Sequence, residues 1–192
     1  KFTEKQLKIQ INPQSKIYWD KNEIEKAKKK YNITSGAINY IANVSASGPT
    51  KRWDIENYIK LFGELNKKNK SNFFITGGKN DENLIKKIMD SSIGKICLPL
   101  TQMDISEIIP IIGACNFSIG NDTGFSHIAS GLGLQCIILF MDSPPLSYGV
   151  YSKNISVIVP QDENIESCGH NTRGRDKISF EEVLKKSLTL VS

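Results

Sequence analysis

The feature that most restricts the fold of this chain is an alternation of two patterns. Apolar runs of strand length are each followed by a longer segment whose apolar residues recur at helical spacing. AINYIANV (37–44) is strand-like, and DIENYIKLFGELNKK (54–68) puts Ile55, Tyr58, Ile59, Phe62 and Leu65 on one helical face. NFFIT (72–76) predicts a strand closed by Gly77 and Gly78, and DENLIKKIM (81–89) a helix. KICL (95–98) is a short strand, ISEIIPIIGA (105–114) a helix kinked at Pro110, and FSIG (117–120) a further strand. A helix from Phe125 to Leu132, strands CIILF (136–140) and SVIV (156–159), and a last helix to about Leu190, capped by Ser179 with Glu182, complete the series. Upstream, Asp20 with Glu23 forms a capping-box pattern that opens a helix ending near Tyr31. Residues 1–19, with Pro13 and little periodicity, read as a linker or arm.

Short apolar strands separated by helices require right-handed crossovers and a parallel sheet covered on both faces. The expectation is therefore an α/β, doubly wound, Rossmann-like domain over residues 20–192. A chain of 192 residues, 39% of them hydrophobic, is enough for one such core. No run approaches the roughly 18 apolar residues of a membrane span, and the opening KFTEKQLKIQ lacks a signal-peptide core, so a cytoplasmic protein is expected. The start at Lys1 suggests a piece of something larger. Cys97, Cys115, Cys136 and Cys168 are widely spaced and read as buried free thiols rather than disulfides or zinc ligands. The two histidines and scattered carboxylates show no metal spacing, and no metal is expected. The net charge of +5 suits anionic partners. The lysine runs at 26–31 and 66–72 fall at helix ends, where they complement the macrodipole, with contact with an anionic membrane surface as the other reading. No basic and aromatic interleaving points to nucleic acid.

In such a sheet, ligands bind beyond the carboxyl ends of the strands. Four loops meet there: VSASGPTKRW (44–53), TGGKND (76–81), LPLTQMD (98–104) and GNDTGFSH (120–127). In the first, Ser45, Ser47 and Gly48 allow backbone amides to approach an oxyanion and Lys51 adds a full charge, which makes a diphosphate site; alternatively Trp53 packs as a staple and the cations face water. In the second, Asp81 either caps the following helix or accepts ribose hydroxyls. In the fourth, Asp122 can cap a helix whose first turn offers the amides of Thr123 and Gly124. His127, five positions on, either faces the same ligand or is a satisfied core histidine. No nucleophile elbow and no triad can be assembled. The loop 141–154 and a polar loop at 161–177, which carries His170, lie outside these motifs.

The order KRW at a helix start, TGG after a strand, LPLTQMDISEII, and GNDTGFSHIASGLGLQCIILF resembles the carboxyl-terminal domain of the heptosyltransferase-like glycosyltransferases, family 9 of the GT-B fold. The likeness is best over residues 35–140, and its most specific part runs from Asp122 to Gly133. It implies a nucleotide-sugar donor site, ADP-heptose in type, with no cofactor or metal. Lys51 and Ser47 would lie on the donor phosphates, Asp81 on the ribose and Met103 against the base. Thr123 and Gly124 would supply phosphate-binding amides, with Asp122 and His127 at the sugar and phosphate end. It further implies inverting transfer in lipopolysaccharide or cell-surface glycan synthesis, with Lys51 stabilising the leaving phosphate. The general base and the lipid-linked or glycan acceptor would belong to an N-terminal domain absent from this chain, so the isolated chain would be inactive. A peripheral place on the cytoplasmic face of the inner membrane would fit. The family's Gly-Pro-Thr turn is replaced here by Met141, Asp142 and Ser143. Other readings are a UDP-sugar transferase or epimerase of the same fold, or a nucleotide-binding module without catalysis.

Overall fold

A computed structural model describes residues 2–10 and 15–191, apart from the side chains of Phe2, Thr3 and Lys79. In chain order the elements are α1 (Phe2–Leu7), α2 (Lys21–Lys30), β1 (Ile38–Asn43), α3 (Ile55–Lys68), β2 (Ser71–Thr76), α4 (Glu82–Met89), β3 (Cys97–Pro99) and α5 (Ile105–Ala114). There follow β4 (Phe117–Asn121), α6 (Gly124–Gly131), β5 (Gln135–Leu139), α7 (Pro145–Tyr148), β6 (Ile155–Ile158) and α8 (Phe180–Thr189). All six strands anticipated from the alternation form one sheet, in the order β3-β2-β1-β4-β5-β6, and every neighbouring pair is parallel. This is the order of the doubly wound fold, whose direction of winding reverses between β1 and β4.

The strands read as continuous apolar runs because both faces are covered. Tyr40 and Ala42 of β1, with Ile137 and Leu139 of β5, belong to a cluster with Tyr58, Phe62 and Leu65 of α3 and Val183 of α8. Ile41, Cys136 and Ile138, one position out of phase, belong to the opposite cluster with Ile108 and Ile111 of α5 and Ala129 of α6. Phe73 bridges the first layer, with its ring 4.1 Å from Phe62 and 5.1 Å from Tyr40, centroid to centroid. Each fully buried aromatic of this kind contributes on the order of 2–3 kcal/mol through burial. Gly120 of β4 pairs with Asn43 of β1. There φ is +153°, and a Cβ would lie 2.3 Å from the Asn43 carbonyl oxygen.

Side-chain caps open three of the helices. Asp54 caps α3 by accepting from the Glu56 amide, and Ser179 caps α8 by accepting from Glu182. Asp20 caps α2 through the Asn22 amide, but Glu23 does not close the expected box, because its carboxylate takes the Lys26 ammonium at 2.7 Å. Pro110 lies within α5. Phe2–Leu7 is helical, and Ile17 donates its amide to the Gly131 carbonyl of α6 at 2.7 Å. Pro13 is outside the described residues. The four cysteines are free, but Cys97 is only half-buried, since it sits on the edge strand β3. Burial still pushes its thiol and that of Cys136 up to about 12, so neither supplies a thiolate at neutral pH. Among the described residues no helix is long and apolar enough to cross a membrane.

Candidate functional site

At the carboxyl ends of the strands, over the β1/β4 reversal, lies a cleft of about 610 Å³. A polar layer beneath it sets its floor. Asn43 of β1 donates to the Ser118 hydroxyl of β4 at 2.9 Å and accepts from the Thr76 hydroxyl of β2 at 2.7 Å, so three neighbouring strands are tied together. Asn121, wholly buried, accepts from the Trp53 amide at 3.1 Å and the Tyr58 hydroxyl at 2.8 Å. It donates to the carbonyls of Val44 and Ser45 at 2.9 and 3.2 Å. One side chain therefore fixes the course of the first loop. No pattern in the sequence marks Asn121, which directly precedes the DTG motif.

From the first loop Ser45, Ala46, Ser47 and Lys51 line the cleft. Lys51 ends a 3₁₀ turn, Pro49–Lys51, and among the described residues no carboxylate forms an ion pair with it. Trp53 packs into the core edge-on to Tyr58, as the staple reading held, yet Lys51 does not simply face water. Arg52 is turned away, donating to the Ala46 carbonyl at 3.0 Å and reaching Asp81 at 3.1 Å.

The second loop contributes Thr76, Gly77, Gly78 and Asp81. Asp81 stands at the N-cap position of α4 but does not cap it. Its Oδ2 accepts from the Ser45 hydroxyl at 2.5 Å and from the Gly78 amide at 2.9 Å. Its buried Oδ1 has the Arg52 charge beside it but no aligned hydrogen bond. Asp81 is thus a brace between two loops, with one acceptor oxygen left over. The third loop does not reach the cleft. The sulfur of Met103 receives the Tyr31 hydroxyl at 3.8 Å on the α2 side, and the exposed Ile105 at the start of α5 forms the wall instead.

The fourth loop and the helix it opens supply the densest group: Asp122, Thr123, Gly124, Phe125, His127 and Ile128. Thr123, not Asp122, is the N-cap of α6, which corrects the expected cap. The Asp122 carboxylate is held elsewhere, by His127 Nε2 at 2.9 Å and by the Ser143 hydroxyl, which donates at 2.6 Å. Burial raises its pKa, but the His127 and Ser143 hydrogen bonds and the nearby positive charge of Lys51 outweigh that, so the carboxyl lies below its ordinary range. An ionised Asp122 only accepts, so His127 carries a proton on Nε2, and its Nδ1, 2.9 Å from the Tyr151 hydroxyl, accepts in the neutral form. His127 lines the cleft with both ring nitrogens already engaged. The Thr123 hydroxyl is buried with no partner in the protein, and the first amides of α6 have no intrahelical acceptor. A Cβ on Gly124 would meet nothing within 4 Å, so the protein itself leaves that space open.

Two further segments line the cleft that the motifs did not include. Ser143 and Tyr148 come from the 141–154 loop, which contains α7, and His170 comes from the 161–177 loop. The replaced turn proves to be a junction. Asp142 accepts from the Thr50 hydroxyl at 2.7 Å and from the Arg173 amide at 3.0 Å.

The parallel doubly wound sheet brings a lysine, an unpartnered hydroxyl and a helix N-terminus together at its switch point, groups that attract negative charge. The chain belongs to glycosyltransferase family 9 (heptosyltransferase), whose sequence model matches residues 3–178. Among solved structures it is similar to E. coli ADP-heptose lps heptosyltransferase II, with a TM-score of 0.74 and 19% identity over 92% of this chain and 53% of that one. It is similar to a family 9 glycosyl transferase from Veillonella parvula DSM 2008, with a TM-score of 0.74 and 20% identity over the same shares. It also resembles E. coli heptosyltransferase WaaC with ADP, with a TM-score of 0.67 and 18% identity over 84% of this chain and 47% of that one. The chain therefore spans about half the length of each. No curated protein sequence matches it.

Proposed function

We propose that this chain is the donor-binding half of an inverting glycosyltransferase and that its cleft takes a nucleoside diphosphate sugar of the ADP-heptose type. The observation that carries the reading is the meeting of Lys51, the buried unpartnered Thr123 hydroxyl and the open start of α6 at Gly124, all on one cleft. Each of these offers positive charge or a hydrogen-bond donor, and a diphosphate needs both. Ser47 adds a hydroxyl beside Lys51, and the Gly77–Gly78 side, with Ile105 as an apolar wall, suits a nucleoside. Ile105 takes the part that the family resemblance assigned to Met103.

In transfer, an acceptor hydroxyl oxygen forms a bond to the anomeric carbon while the bond from that carbon to the β-phosphate oxygen breaks. The electron pair stays on the departing diphosphate. Lys51 and the α6 amides stabilise that charge as it develops, an electrostatic contribution that strengthens in a dry cleft. The proton of the acceptor goes to a base outside these 192 residues. The acceptor is a glycan or lipid-linked sugar of the cell surface, held outside these 192 residues. His127 and Ser143 keep Asp122 ionised and aimed rather than contacting phosphate themselves.

Calorimetric titration tests this reading. The chain is expected to bind ADP, and Lys51→Ala to weaken that binding by about tenfold or more, the usual loss for a charged hydrogen bond of about 1.5–3 kcal/mol. Preference for UDP over ADP would move the donor to the UDP-sugar class. Failure to bind either nucleotide would overturn the assignment.

A further inference from the structure

The cleft is longer than the motif residues need. It extends across the strand order from the loop after β2, with Gly77 and Gly78, over β1 and β4, with Lys51 and Gly124, to the segment after β5, with Ser143 and Tyr148. With strands roughly 4.8 Å apart, β2 and β5 are separated by about 14 Å. A nucleoside on the β2 side puts its diphosphate over β1 and β4, so only what is attached beyond the β-phosphate reaches β5. His170 enters the cleft at that far end, from a turn whose construction is specific. The Gly169 amide donates to the Thr172 hydroxyl at 2.9 Å, and the Arg173 and Gly174 amides donate to Asp142 and to the Met141 carbonyl at 3.0 and 2.9 Å. Asn171 and Arg173 both adopt left-handed backbone, with φ of +75° and +50°, a conformation that costs non-glycine residues on the order of 1–2 kcal/mol each. The turn is thus pinned to the residues that follow β5 and leaves the His170 imidazole exposed, with no hydrogen-bond partner among the described residues. Tyr148, also exposed, lines the same end from α7.

We infer that His170 and Tyr148 read the sugar of the donor, a specificity-determining pair that the DTG motif does not contain. The inference rests on the nucleotide-sugar reading above. Ser143, buried, serves by holding Asp122, whereas the imidazole and the phenol are free to exchange hydrogen bonds with sugar hydroxyls.

The test compares ADP with ADP-heptose by calorimetry in the wild-type chain, His170→Ala and Tyr148→Phe. Thermal melting of each variant checks its fold. The ratio of the two affinities is expected to fall about tenfold in His170→Ala and about threefold in Tyr148→Phe, while the affinity for ADP itself stays within twofold. The His170 Cε1 proton, one of only two such histidine signals in the chain, is expected to shift on adding ADP-heptose and not on adding ADP. An unchanged ratio, or an equal loss for both ligands, overturns the inference while leaving the nucleotide site standing. A wild-type chain that binds no nucleotide overturns both.

Discussion

Two side chains carry more of the site than their place in the motif suggests. Asn121 uses both its acceptor and its donor sites on the first loop and on Tyr58. Asn121→Ala leaves the Trp53 amide and the Val44 carbonyl without a partner in a buried setting and takes one partner each from the Tyr58 hydroxyl and the Ser45 carbonyl, so it is expected to lower stability by about 2–4 kcal/mol in urea unfolding. Asp122 gives a pH signature. Its folded pKa lies below the ordinary 3.8, so the unfolded chain binds the proton more readily. The stability this contributes is present above about pH 4 and is lost as pH falls through the folded value. The urea midpoint of the wild type is expected to drop on going below pH 4, and Asp122→Asn to flatten that part of the profile. An unchanged profile in the variant would count against the Asp122–His127–Ser143 arrangement.

At the scale of elements, the critical joints lie between strand ends and loops. Gly120→Ala drives a Cβ into the Asn43 backbone and forces an unfavourable φ, so it is expected to destabilise by on the order of 3 kcal/mol, read as a lower melting temperature. Asp142→Asn keeps the shape but weakens the pin on the 161–177 turn. Amide exchange at Arg173 should quicken about tenfold with little change in the global midpoint. The elements themselves were legible in the sequence because the sheet is buried on both faces, which turns each strand into an apolar run and each helix into an amphipathic face. The joints were not. Whether Asp122 or Thr123 caps α6 depends on His127, Ser143 and Tyr151, and two of these three belong to a later loop that no periodicity locates. His170 escaped for the same reason, since its turn is positioned by Asp142 and Met141 rather than by any local pattern. Lys51, Ser47, Asp81, Asp122, Thr123, Gly124 and His127 do gather at one cleft, because all of them stand at the carboxyl ends of parallel strands.

For the molecule as a whole, topology and charge act together. The reversal of winding between β1 and β4 opens the crevice, and the loops after those two strands supply its cationic lysine and its helix N-terminus. With a net charge of +5, binding of a nucleoside diphosphate is expected to weaken as salt rises from 0.05 to 0.5 M, in contrast to a site that works by apolar contact. In the proposed complex the diphosphate sits between Lys51 and the start of α6. Backbone amide resonances of the isotope-labelled chain followed during titration with ADP test it most directly. The largest shifts are expected at Ser47, Gly124 and Phe125, and are expected to be lost in Lys51→Ala. Shifts confined to other parts of the surface, with the Gly124 amide unmoved at saturation, would contradict it.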